Sequence, residues 1–136
     1  MSPEIALYTI AILSGIVIAY QDIMTGRVGI VPLICFFLSC IATSYIRKEC
    51  CHVLMGVIII AGITMFLVKG THAIGAADYV VGISLASVMT TSHMCAFLIS
   101  CGLFGLVVHI VLASKKIPFT PVMLAAYVIT EFVVYY

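Results

Sequence analysis

Acidic side chains are scarce in this 136-residue chain, which has five Asp and Glu residues in all. Two of them interrupt apolar sequence. Asp22 stands just after the run IALYTIAILSGIVIAY, and Asp78 stands inside AIGAADYVVG. Two carboxylates brought into one pocket resist ionising together, so they share a proton: one can then accept a proton while the other donates. The same pair could also bind an ion or relay protons, as acids within membranes do. Each residue has a plainer role as well. Asp78 can cap a helix by accepting a bond from a first-turn amide, and Asp22 can be a solvated helix end. What surrounds the two acids decides among these.

Apolar residues make up 65% of the chain and charged residues 8%, against roughly a quarter charged in soluble domains. Charged and Gly/Pro points divide the sequence into six apolar stretches, near 4–20, 28–46, 51–68, 77–92, 94–113 and 118–136. Each is close to the about 20 residues that cross a bilayer as a helix. Their runs of Ile, Val, Leu, Ala and Phe do not alternate with period two, as barrel strands would. The expectation is an all-α, polytopic transmembrane helix bundle of about six spans, one integral-membrane domain over 1–136, with no separate soluble domain. Glu4 occupies the place of a basic signal-peptide n-region, so the first stretch reads as a retained helix.

Several function classes drop out. A net charge of +1 supplies no basic patch for nucleic acid. The six cysteines form no CxxC pair and four lie within spans, where thiols pack as small apolar groups. No His/Cys/Asp cluster has metal spacing, so neither metal nor cofactor is expected. His72 and His109 lie toward the aspartate side and read as structural or interfacial, while His52 and His93 fall in expected outer loops. Glu131 is expected to reach the outer interface. Gly56, Gly62, Gly102 and Gly105 read as sites of close helix contact.

Between Asp22 and Asp78 the chain crosses twice, which returns it to the same face. Arg27, Lys69, Lys115 and Lys116 fall in loops one, three and five, against Arg47 and Lys48 in loop two. The positive-inside rule then puts the N-terminus outside and both aspartates toward the cytoplasm. Tyr135 and Tyr136 would lie at the outer interface.

Three segments carry a family resemblance. IGAADYV resembles the GxGD motif of intramembrane aspartyl proteases, and DIMTGRVGIVP resembles the stretch after the first helix of type IV prepilin peptidases. KKIPFTPVMLAA, from Lys115 to Ala126, is similar to the Lys-x-Ile-Pro-Phe-Gly-Pro stretch that opens their last helix. The three occur in the family's order, spaced over residues 22 to 121 and joined by the right number of spans. There are departures. Ala77 takes the second glycine position of GxGD, a variation associated with the archaeal preflagellin branch, and Val80 replaces the lysine two residues after the aspartate. The family's Pro-Asn pair falls on Gly29 and Ile30, with Pro32 displaced.

The resemblance is to the short, peptidase-only form linked to Flp/Tad pili or archaeal preflagellins, without the CxxC-bearing methyltransferase region. It implies a cofactor-free aspartic endopeptidase of a prokaryotic plasma membrane, with Asp22 and Asp78 as its catalytic dyad. Its substrate would be a type IV prepilin: a basic leader and an apolar helix, cut on the cytoplasmic side. Gly75, Ala76 and Ala77 would leave room for the extended substrate backbone, and Pro118 and Pro121, which bracket the entry to the last span, would hold Phe119 toward the site or simply start the helix. Helix dipoles favour Asp78, at a helix start, as the base and Asp22, at a helix end, as the acid. The alternatives are a small ion or proton transporter and a catalytically inactive pilus-assembly partner.

Overall fold

A computed structural model describes residues 2–48, 50–67, 75–112 and 118–135, with the side chains of 65, 66, 134 and 135 excepted. Lys69, His72, Lys115, Lys116 and Tyr136 lie outside the described residues. The expected all-α class is what the chain adopts: α1 (Pro3–Thr25), α2 (Ile30–Arg47), α3 (His52–Leu67), α4 (Ala76–Val88), α5 (Thr91–Leu112) and α6 (Phe119–Tyr135).

Local chemistry sets the ends of α1 and the start of α2. The Ser2 hydroxyl accepts the Ile5 amide and Pro3 opens α1, where a missing N–H costs nothing. Gly26 closes it in the left-handed region at φ 62°, its amide bonded to the Asp22 carbonyl at 2.9 Å, a conformation glycine adopts without Cβ strain. The Gln21 side chain then accepts the Gly29 amide at 2.8 Å, fixing the turn into α2. Consequently α1 runs about a turn beyond its expected end, and Asp22 lies inside its last turn rather than after it.

Named contacts show that successive helices alternate in direction. Arg47 of α2 pairs with Glu4 of α1 at 2.6 Å, so the end of α2 meets the start of α1. The Cys51 amide, just before α3, bonds the Ala86 carbonyl of α4 at 3.0 Å; farther along, Gly62 of α3 meets the Tyr79 ring at 3.5 Å. At the far end His93 of α5 approaches Glu131 of α6 at 3.8 Å. Tyr127 of α6 comes close to Tyr8 and Arg47, whereas Leu124 packs on Gly15. Thus α1, α3 and α5 run toward the aspartate end, and α2, α4 and α6 run away from it.

Four helices close a ring: α1 packs on α2 and α6, and α4 packs on the same two from the opposite side. Helices α3 and α5 attach outside, on α4 and α6 respectively, and touch each other. The core lies inside the ring, around Ile18, Phe36, Cys40, Val81, Leu85, Met123 and Ala126. Large apolar side chains are exposed on every helix but α4, whose residues from Ser84 to Val88 are all buried. A continuous apolar surface of this kind suits lipid better than water.

Three helices, α1, α2 and α5, are long and apolar enough to cross a membrane, and α3, α4 and α6 are shorter apolar helices. Helix α4, at 13 residues, rises about 20 Å, less than the about 30 Å hydrocarbon thickness. Two boundaries differ from expectation in a way that matters. Met89 leaves the helical region at ψ 144°, which ends α4 early, and α5 begins at Thr91. His93 is therefore not in a loop but in the first turn of α5, buried against α6.

Candidate active site

Asp22 and Asp78 are both half-buried, and each continues the buried stripe of its helix. Ile18, Gly15 and Ser14 precede Asp22 by four, seven and eight residues; Val81, Gly82 and Leu85 follow Asp78 by three, four and seven. At 3.6 residues per turn these spacings share one face. Asp22 comes at the end of an ascending helix and Asp78 at the start of a descending one, so both reach the same end of the ring. Their helices are diagonal across it. For neighbouring axes 8–10 Å apart the diagonal is roughly 11–14 Å, which leaves the two inward faces opposed without a helix between them. The Asp22 Oδ2 atom is shielded from solvent.

The Asp78 carboxylate is held from two sides. Its Oδ2 accepts the Gly75 amide at 3.0 Å, while its Oδ1 accepts the Thr120 hydroxyl at 2.6 Å. The first bond belongs to a capping arrangement in which the Gly75 carbonyl accepts the Asp78 amide at 3.1 Å. Asp78 thus supports its own helix, but from the third helical position and through the amide of Gly75, the residue that caps the helix.

Gly75 and Ala76 are exposed and Ala77 is half-buried. The Gly75 backbone is ordinary, at φ −76° and ψ 157°, so no turn demands glycine there. Among the described residues, a Cβ there would meet only Asp78 Oδ2, at 3.5 Å. Pro118 and Phe119 are half-buried at the start of α6, and Phe119 packs against the core while helping to bring Thr120 to Asp78.

Thr120 was not among the residues singled out by sequence reasoning, although it is completely buried. A signal existed: it occupies the glycine position of the Lys-x-Ile-Pro-Phe-Gly-Pro stretch. Tyr79 was also overlooked. Its ring lies on Gly62, and its hydroxyl is buried with no hydrogen bond to any described residue.

An apolar groove of about 490 Å³ follows α1 and α6, lined by Ala11, Gly15 and Ala19 on one side and Pro121, Leu124 and Ala125 on the other. Its upper end, at Ala19 and Pro121, is three residues from Asp22 and one from Thr120. The far end of the ring is polar, with the Glu4–Arg47 pair, the Arg47 guanidinium 4.7 Å from the centre of the Tyr8 ring, and the His93–Glu131 contact. Glu131 is half-buried and faces a histidine. Among the described residues no group of three His, Cys, Asp or Glu side chains could hold a metal ion.

Three of the four glycine expectations fail: Gly62 does permit close contact, with Tyr79, but Gly56, Gly102 and Gly105 have no described residue within 4 Å of an added Cβ. Comparison with known protein families, characterised proteins and solved structures finds no match to this chain.

Proposed function

We propose that the chain is a membrane-embedded aspartic endopeptidase that removes the leader of type IV prepilin-like substrates, with Asp22 and Asp78 as its dyad. One observation carries the reading: the two acids extend the inward stripes of diagonal helices at the same end of the ring. Gly75 and Ala76 are exposed and no described residue other than Asp78 crowds Gly75, which favours the approach of an extended peptide to Asp78. The groove between α1 and α6 suits a substrate whose apolar helix stays in lipid while its cleavage point reaches the carboxylates.

In this mechanism Asp78 is the base. It takes a proton from water as the water oxygen attacks the scissile carbonyl, and Asp22, protonated, donates to the carbonyl oxygen. Collapse of the tetrahedral intermediate breaks the C–N bond: the proton held on Asp78 passes to the leaving amine, and one hydroxyl of the gem-diol returns its proton to Asp22 as the product carboxyl forms. The enzyme lies in the cytoplasmic membrane of a prokaryote with its N-terminus outside and both aspartates toward the cytoplasm, its six helices within the bilayer and α4 too short to span the full hydrocarbon thickness.

Co-expression with a prepilin-like substrate tests this directly. Leader removal is lost in Asp22→Asn and in Asp78→Asn, each with wild-type protein levels. Undiminished processing in either variant removes the peptidase reading. Proton flux in liposomes that vanishes in the same variants would establish the transporter instead.

A further inference from the structure

We infer that Thr120 is a positioning residue for Asp78, its buried hydroxyl fixing the direction in which the carboxylate faces. The inference rests on the peptidase reading and extends it to a residue on a third helix. Two bonds converge on the carboxylate, from Gly75 at 3.0 Å on its own helix and from Thr120 at 2.6 Å on α6. The second torsion of an aspartate is soft and broad. A bond from the cap of its own helix leaves the carboxylate free to swing; one from another helix, meeting the other oxygen, holds its plane.

Thr120 is suited to this. Threonine is stiff at χ1, and here it is completely buried between Pro118 and Pro121, whose rings fix their backbone φ. A hydroxyl in the first turn of a helix ordinarily bonds nearby backbone. This one instead donates across to α4. Each oxygen takes one of these two bonds and has a second lone pair with which to accept. Orientation of this kind is expensive to lose in catalysis, since small misplacements cost up to about a hundredfold.

The test uses full-length protein in phosphatidylethanolamine/phosphatidylglycerol vesicles and a synthetic prepilin-like peptide with a basic leader and an apolar helix. Thr120→Val keeps the shape and removes the donor, and Thr120→Ser keeps the donor. The expected result is a fall in kcat of about tenfold to a hundredfold in the valine variant, with little change in KM and recovery to within about threefold in the serine variant. Substrate-free infrared difference spectra against Asp78→Asn should show the Asp78 carboxylate stretch displaced in Thr120→Val and restored in Thr120→Ser. If wild-type protein cleaves the peptide and Thr120→Val cleaves it equally fast, the inference is overturned while the peptidase reading stands. If wild-type protein does not cleave, the peptidase reading is the one that fails; the infrared band then decides, and an unmoved band in the valine variant overturns the positioning role too.

Discussion

Replacing Asp78 separates its two roles, because the structure assigns it measurable structural work. Asp78→Ala removes the side-chain acceptor of the Gly75 amide and leaves the completely buried Thr120 hydroxyl without its acceptor. A lost helix-end bond costs about 1 kcal/mol, and an orphaned buried hydroxyl about 1–3 kcal/mol. The single variant should therefore lose about 2–4 kcal/mol. Adding Thr120→Val removes the orphan, so the double variant should be more stable than Asp78→Ala by about 1 kcal/mol or more. The assay is unfolding of purified protein in mixed detergent by SDS titration, followed by circular dichroism, for wild type, both single variants and the double. If Asp78→Ala matches wild type, or the double is less stable than Asp78→Ala, the reasoning about this hydrogen-bond pair is wrong. Activity completes the separation. The folded Asp78→Ala protein should retain less than about a thousandth of wild-type leader cleavage, and retention of most of it would reduce Asp78 to a helix cap.

Other expectations follow from named contacts. Gly62→Leu forces a side chain into the Tyr79 ring, 3.5 Å from a Cβ, and should cost about 1–3 kcal/mol, whereas Gly102→Leu, with nothing within 4 Å, should leave unfolding unchanged. Lys48 ends α2 with φ 57°, strained for a side-chain-bearing residue, so Lys48→Gly should stabilise by about 0.5–1 kcal/mol in the same titration. Partial burial, and to a smaller extent neighbouring Cys51, push the Cys50 thiol above its ordinary range. Less thiolate is then present at neutral pH, and iodoacetamide should modify Cys50 more slowly than free glutathione at pH 7.5, accelerating as pH rises; equal rates would contradict this. Glu4→Gln breaks an ion pair whose side chains are 38% and 31% exposed, and should cost no more than about 1 kcal/mol.

Long apolar runs broken at charged and Gly/Pro points left little choice but helices, since lipid has no partner for unpaired backbone amides. That reasoning locates all six helices and, by counting reversals, brings Asp22 and Asp78 to one end. Even the inward direction of Asp22 is readable afterwards in its spacing from Ile18 and Ser14. Neighbours were another matter. Helices apolar on every side carry no amphipathic period to separate a core-facing stripe from a lipid-facing one, so nothing in the sequence made α4 central or left α3 and α5 outside the ring. The same lack of contrast hid His93, whose place against Glu131 depends on where α4 stops, and misread Gly56, Gly102 and Gly105. Thr120 shows the limit most clearly: 42 residues separate it from Asp78, and only the packing of α6 against α4 turns an ordinary helix-start hydroxyl into a ligand for the carboxylate.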